Sequence, residues 1–80
     1  MEIELGIWVI CLADFVDVPE GTKGMIVEDY GSGITVAWDK PDRPIGKMSP
    51  RQIAAMPAVD PRCPLRDGFS NEELEFLDRI

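Results

Sequence analysis

Histidine is absent from this 80-residue chain, and cysteine occurs only twice. The lack of histidine removes the commonest general base and the commonest metal ligand of proteins. Two cysteines without histidine do not make a zinc site, and Cys63 has only Arg62 and Arg66 near it in place of an activating base. No glycine-rich loop precedes a predicted helix to cradle a phosphate. We therefore expect a protein that is not an enzyme and that holds no metal and no cofactor.

Positive charge is also scarce, since 8 Lys and Arg face 15 Asp and Glu, which gives a net charge of −7 and a pI near 4.3. This balance argues against direct nucleic-acid binding, which normally requires a basic surface. It favours a protein partner with a basic surface or groove. The charge is uneven: acids dominate residues 1–39 and 67–80, and bases dominate residues 40–66.

Long hydrophobic runs are missing as well. The apolar stretch over residues 5–13 is too short to span a bilayer. Glu2 and Glu4 stand where a signal peptide would carry positive charge. We therefore expect a cytoplasmic protein without membrane contact, whose Cys11 and Cys63 are two reduced thiols. The oligomeric state is left open by the sequence.

An apolar content of 45% indicates one folded domain over residues 1–80. Residues 7–12 form a β-branched and aromatic run, and residues 24–29 follow a turn, so both are predicted strands. Residues 30–33 hold two glycines that suit a hairpin. Alternating apolar residues over 34–39 predict a third strand in which Trp38 faces the core.

The remainder of the chain predicts two helices and one more strand. Ser49, Pro50 and Gln52 supply the cap, first-turn proline and capping box of a short helix inside an insertion over residues 40–64. Residues 65–69 suit a short fourth strand. A second capping box, Ser70 with Glu73, predicts a C-terminal helix over residues 70–80. Its apolar stripe would comprise Leu74, Phe76, Leu77 and Ile80.

Residues 18–27 followed by 36–39 resemble the SH3-like and KOW-like small barrels. In particular they look like the short, uncharacterised SH3-like proteins of phages and bacterial mobile elements. The resemblance extends over residues 7–39, and Gly24 matches the central glycine of the KOW relatives. It implies a mainly β protein: a small SH3-like antiparallel barrel with core residues 7–39 and 65–69, a short inserted helix and a C-terminal helix.

Size, acidity and this resemblance favour a non-catalytic protein-binding module. Its carboxylates would imitate a row of phosphates and occupy a cationic nucleic-acid channel of another protein. The most concrete form is an anti-CRISPR-like inhibitor of a host defence nuclease. The simpler reading is that the same acids only solvate the surface and cap turns. The predicted partner-binding residues are Asp14, Asp17, Glu20, Glu28, Asp29 and Tyr30.

Two other functions remain open at this point. KOW-like relatives often bind ribosomal RNA or RNA polymerase, so the basic segment could contact RNA or the transcription and translation machinery. The residues of that alternative basic face are Lys40, Arg43, Lys47, Arg51, Arg62 and Arg66. The remaining possibility is a structural component of a phage particle or larger assembly.

Overall fold

Five antiparallel strands form a single curled sheet in the computed structural model, which describes residues 1–80. The strands are β1 (Trp8–Cys11), β2 (Lys23–Asp29), β3 (Gly33–Trp38), β4 (Arg66–Ser70) and β5 (Leu77–Arg79). Their order in the sheet is β4-β3-β2-β1-β5, so β4 and β5 are both edge strands and do not pair with each other. The sheet is therefore a half-barrel, which confirms the mainly β prediction and leaves the barrel open on one side.

The β2–β3 hairpin forms where the glycines predicted it. Gly31 adopts a φ of 80°, which a glycine tolerates without steric cost. The Asp29 carboxylate accepts a hydrogen bond from the Gly31 backbone N–H at 2.9 Å and so fixes the turn. The register shifts between Ile26 and Glu28, which makes a β-bulge and increases the local twist of the sheet.

One face of the sheet holds the larger hydrophobic cluster, which we call the interior cluster. Trp38 is its largest side chain and is completely buried, as predicted. The Trp38 ring meets Phe69 edge to face, with ring centroids 6.1 Å apart. The interior cluster comprises Val9, Cys11, Val18, Ile26, Ile34, Val36, Trp38, Phe69 and Leu77.

The opposite face carries a second, outer cluster, because residues 40–64 fold back over the sheet. Ile53 of the helix α1 (Pro50–Ala55) and Ile45 cover three sheet residues there, Met25, Val27 and Ala37. Half-buried Trp8 packs against the same cluster. The predicted cap of α1 is confirmed, since Ser49 accepts from the Gln52 N–H at 3.2 Å and Gln52 accepts from the Ser49 N–H at 2.8 Å.

The predicted C-terminal helix over residues 70–80 is wrong. A 3₁₀ turn (Glu72–Phe76) is followed by β5, which pairs with β1. The Ser70–Glu73 capping box does form, with hydrogen bonds of 2.9 and 3.3 Å. A short isolated helix gains little in water, whereas pairing with the free side of β1 satisfies backbone groups that would otherwise be unpaired. The predicted stripe is split, because Leu77 is 5% exposed and Ile80 is 61% exposed.

Gly24 provides the first testable prediction. It pairs with Trp38, and a Cβ at this position would lie 2.6 Å from Val36 Cγ1 and 2.7 Å from Trp38 Cε3. We expect Gly24→Ala to lower the free energy of unfolding by about 1–3 kcal/mol through overpacking. Gly68→Ala is the matched control, since the nearest atom to its Cβ would be Ile34 O at 4.0 Å. Equal urea midpoints for the two variants would contradict this account of Gly24.

Candidate functional site

The predicted acidic residues fall into two groups at opposite ends of β2. Asp14, Asp17 and Glu20 lie in the loop between β1 and β2, which we call the acidic loop group. The hairpin group comprises Glu28 and Asp29 at the end of β2 together with Tyr30. Because a strand rises about 3.3 Å per residue, roughly 20 Å of strand separates the two groups. The structure therefore does not bring the six residues together into one compact patch.

The acidic loop group shapes its own loop. The Asp14 carboxylate accepts a hydrogen bond from the Glu20 backbone N–H at 2.7 Å. Asp17 has a φ of 63°, an uncommon conformation for a residue other than glycine that aspartate tolerates better than most. The Asp17 carbonyl accepts a hydrogen bond from Lys40 Nζ, which connects this loop to the segment after β3. The Asp14 carboxylate therefore has a structural role, whereas Asp17 and Glu20 stabilise the loop through their backbone groups.

The hairpin group is more open. Tyr30 is 62% exposed, and its hydroxyl accepts only a long 3.5 Å hydrogen bond from Thr35 Oγ1. Asp29 holds the turn through Gly31. The half-buried Glu28 makes no side-chain hydrogen bond. Of the six predicted residues, Glu28 and Tyr30 are the least constrained by the fold.

The protein contains a single salt bridge, between Asp60 and Arg62 at 3.0 Å. Hydrogen bonds from the Arg62 side chain and backbone hold the pKa of Asp60 below its ordinary value. The same carboxylate raises the pKa of Arg62. None of the other Asp and Glu side chains has a Lys or Arg partner within 4.0 Å, so most of the carboxylates are not paired with a positive side chain.

The alternative basic face is largely engaged in structural contacts. The Arg66 guanidinium donates to the Ile53 and Ala54 carbonyls, at 3.0 and 3.4 Å, and so caps the last turn of α1. Arg43 donates to the Cys63 carbonyl at 3.4 Å. Lys40 contacts the Asp17 carbonyl, and Arg62 forms the salt bridge. Only two of the predicted basic residues, Lys47 and Arg51, are exposed and free of hydrogen bonds.

Sequence reasoning missed a cleft beside β4, which we call the edge cleft. It has a volume of about 250 Å³. Phe15 forms one wall, and its ring centroid lies 6.0 Å from that of Phe69 and 5.7 Å from that of Phe76. The adjacent Val16 is 90% exposed. The edge cleft is lined by Phe15, Val16, Asp67, Gly68, Phe69 and Glu73. Two consecutive large apolar residues in an otherwise acidic loop were its only sequence signal.

Two carboxylates border the edge cleft. Asp67 Oδ2 accepts a hydrogen bond of 2.7 Å from the buried indole Nε1 of Trp38. Glu73 accepts from the Ser70 backbone N–H, and this hydrogen bond, helped by the Ser70 side chain, lowers the pKa of Glu73. Glu73 therefore stays ionised at neutral pH. The edge cleft combines aromatic walls with negative charge, which suits a side chain that has an apolar stem and a cationic end.

The chain has two further clefts and two cysteines outside the predicted sites. The clefts, of about 470 and 490 Å³, flank Met48 and Arg62 beside α1. Cys11 and Cys63 are buried and are not bonded to each other. No group of three or more His, Cys, Asp or Glu residues could hold a metal ion. None of the helices has the length and apolar character needed to cross a bilayer.

The Asp67–Trp38 hydrogen bond leads to a stability prediction. Asp67→Ala would leave the buried indole N–H without an acceptor, and we expect a loss of about 1–3 kcal/mol in the free energy of unfolding. Asp67→Asn preserves an acceptor oxygen and should lose less. Urea unfolding monitored by tryptophan fluorescence measures both variants. If Asp67→Ala and Asp67→Asn were equally stable, the hydrogen bond would not contribute as described.

Glu73 leads to a pH prediction. A carboxyl whose pKa is lower in the folded chain contributes stability above its unfolded pKa, and that stability is lost as pH falls through the folded pKa. Glu73→Gln can still accept from Ser70 but cannot titrate. Glu73→Gln should therefore reduce the loss of unfolding free energy as the pH falls below 4.5, the ordinary pKa of glutamate. Glu75→Gln is the control from the same 3₁₀ turn, and an identical acid limb in both variants would refute the role of Glu73.

Comparison with known proteins assigns no family to the chain. No protein-family model matches it, and no curated protein and no solved structure gives a significant match.

Proposed function

We propose that this protein is a non-catalytic binding module whose acidic surface docks on a basic surface or groove of another protein. The observation that carries the proposal is the imbalance of charge: of 15 Asp and Glu side chains, only Asp60 forms a salt bridge. Unpaired surface charge of one sign raises the rate of encounter with a partner of opposite charge. Because four of the six residues of the alternative basic face are engaged in internal contacts, the acidic surface is the better candidate.

We infer an SH3-like half-barrel of the kind carried by phages and bacterial mobile elements. In support, β1 to β4 follow one another across the sheet and β5 returns beside β1. Gly24, the residue matched to the central glycine of the KOW relatives, has a packing role here, because it makes room for Trp38. That glycine therefore needs no RNA contact to explain it.

The most concrete form of the proposal is inhibition of a host defence nuclease, such as a CRISPR effector. Channels that hold nucleic acid present rows of Lys and Arg to a chain of phosphates. The acidic loop group and the hairpin group, separated along β2, would follow such a row better than a compact cluster would. The partner is then a protein whose basic channel normally holds nucleic acid.

The test combines affinity capture with charge changes. The tagged protein is used to capture partners from a bacterial lysate at low and high salt, with identification by mass spectrometry. The captured partner is then purified for affinity measurements. In the test variant, Glu28→Lys is combined with Asp29→Asn, which can still form the turn to Gly31. We expect a basic, nucleic-acid-handling partner that is lost at high salt and bound about tenfold more weakly by the variant.

The matched control carries Lys47→Glu and Arg51→Glu, both at exposed positions. This variant should bind the partner as well as the wild type or better. Unchanged affinity of the Glu28 and Asp29 variant at both salt concentrations would count against an electrostatic interface at the hairpin group. Capture of ribosomal or polymerase subunits, or of nucleic acid, that is lost in the Lys47 and Arg51 variant would replace the proposal with the KOW-like alternative.

A further inference from the structure

The two edges of the half-barrel differ in whether their backbone groups are already used. On the outer side of β5, the Leu77 N–H donates to the Leu74 carbonyl and the Arg79 N–H donates to the Asp78 side chain at 2.9 Å. That edge is also only three residues long. Short strands with occupied donors do not attract another strand. The β5 edge is therefore closed to pairing.

The β4 edge is open at its centre. The backbone N–H of Trp38 donates to the Leu65 carbonyl, and the backbone N–H of Asn71 donates to the Ser32 carbonyl. In this antiparallel ladder the backbone N–H and carbonyl groups of residues 65, 67, 69 and 71 therefore point towards β3. The backbone groups of Arg66, Gly68 and Ser70 therefore point outward. Glu73 accepts from the Ser70 N–H, but Gly68 has no hydrogen-bond partner for either its N–H or its carbonyl. An unused donor and acceptor at the middle of an edge strand form a template for a further strand.

Gly68 is also the only one of the seven glycines without an internal explanation. Four glycines have positive φ angles, and a Cβ at Gly24 or Gly33 would come within 2.6 Å of other atoms. A Cβ at Gly68 would meet nothing closer than 4.0 Å, and its φ is not in the positive region. Glycine weakens a strand unless something requires it, and close approach of another backbone is one such requirement.

The edge cleft lies directly beside this open edge, since Asp67, Gly68 and Phe69 line it. Its volume of about 250 Å³ is below the roughly 300–1,000 Å³ of ordinary small-molecule pockets. That size suits a side chain of an added strand. Phe15, which is 38% exposed, offers aromatic surface to an alkyl stem beside the 6% exposed Phe69. Asp67 and Glu73 offer carboxylates to a cationic end.

We propose that the β4 edge binds an extended segment of another protein, which adds a strand at Gly68. This segment places an arginine or lysine side chain in the edge cleft, beside Phe15 and Phe69 and next to the carboxylates of Asp67 and Glu73. Backbone hydrogen bonds supply affinity, and the cationic side chain supplies specificity. This surface does not include Glu28 or Asp29. The inference therefore goes beyond the proposed acidic interface and does not depend on it.

A second copy of this chain fits the same edge less well. Each copy carries a net charge of −7, so pairing two β4 edges would bring like charges together. It would also place Asp67 of each copy at the shared edge without supplying the cation that the edge cleft suits. Charge complementarity thus selects a basic extended segment as the occupant.

The experiment begins with a displayed library of random heptapeptides selected on the wild-type protein. We expect enrichment of peptides with Arg or Lys at one position and without proline at the alternate positions that pair with β4. A synthetic peptide of the consensus sequence is then titrated against ¹⁵N-labelled protein, with shifts expected at the amides of Gly68, Phe69 and Phe15. No enrichment, or shifts centred elsewhere, would overturn the proposal.

Gly68→Pro tests the backbone contact. It removes the outward N–H, and proline is tolerated on the solvent side of an edge strand, so the fold should persist. We expect the consensus peptide to bind about tenfold more weakly to Gly68→Pro than to the wild type. Gly68→Ala keeps the N–H but adds a Cβ where the added backbone approaches, so it should weaken binding by a smaller factor. Should Gly68→Pro fail to fold, peptides N-methylated at alternate residues test the same bonds from the ligand side. Strand addition would be rejected if the peptide bound equally to Gly68→Pro and the wild type, or if N-methylated and unmodified peptides bound equally.

Glu73→Gln tests the edge cleft, because glutamine preserves the bond to the Ser70 N–H and removes the charge. This variant should bind the Arg-containing peptide about threefold to tenfold more weakly than the wild type does, and should bind a norleucine-substituted peptide equally well. The variant with Glu28→Lys and Asp29→Asn should bind the peptide as the wild type does, which separates this result from the proposed function. Sedimentation that shows a dimer disrupted by Gly68→Pro would assign the edge to a second copy and overturn the peptide proposal.

Discussion

The burial of Trp38 is the constraint on which the rest of the half-barrel depends. The ring is fully buried, and it fits only because Gly24 on the neighbouring strand has no side chain. Its indole N–H finds its acceptor on β4, at Asp67, and its edge meets Phe69 of the same strand. One side chain therefore connects β2, β3 and β4. The strand β4 is therefore held both by its backbone pairing with β3 and by the contacts of Asp67 and Phe69 with Trp38.

The edge cleft is a consequence of the same arrangement. Phe69 contacts Trp38 on one side and Phe15 on the other, so the position of the β1–β2 loop is set through the core. Asp67 uses Oδ2 for the indole N–H, which leaves its other oxygen available at the border of the edge cleft. A rigid core residue thus fixes both an aromatic wall and a carboxylate of the proposed binding surface. Sites supported in this way are more precise than sites made of loops alone.

Local sequence signals predicted the local structure, and they failed where distant residues decide. The hairpin at Gly31 and the capping box of α1 were predictable, because each depends on residues only a few positions apart. The capping box at Ser70 was equally sound, yet the chain leaves the 3₁₀ turn and pairs Leu77–Arg79 with β1. Tertiary pairing overrides a marginal helix. The edge cleft was not predictable, since it joins Phe15 to Phe69 across the open side of the sheet.

Net charge and the open edge act together. An unprotected edge strand is a hazard in a protein at high concentration, because it pairs with any other exposed strand, including its own copies. Here the edge is left open at Gly68 in a molecule of charge −7. The repulsion between copies opposes self-association at that edge without blocking its backbone groups, and the same charge attracts a basic segment. The acidity of the chain therefore determines which kind of strand the half-barrel can accept.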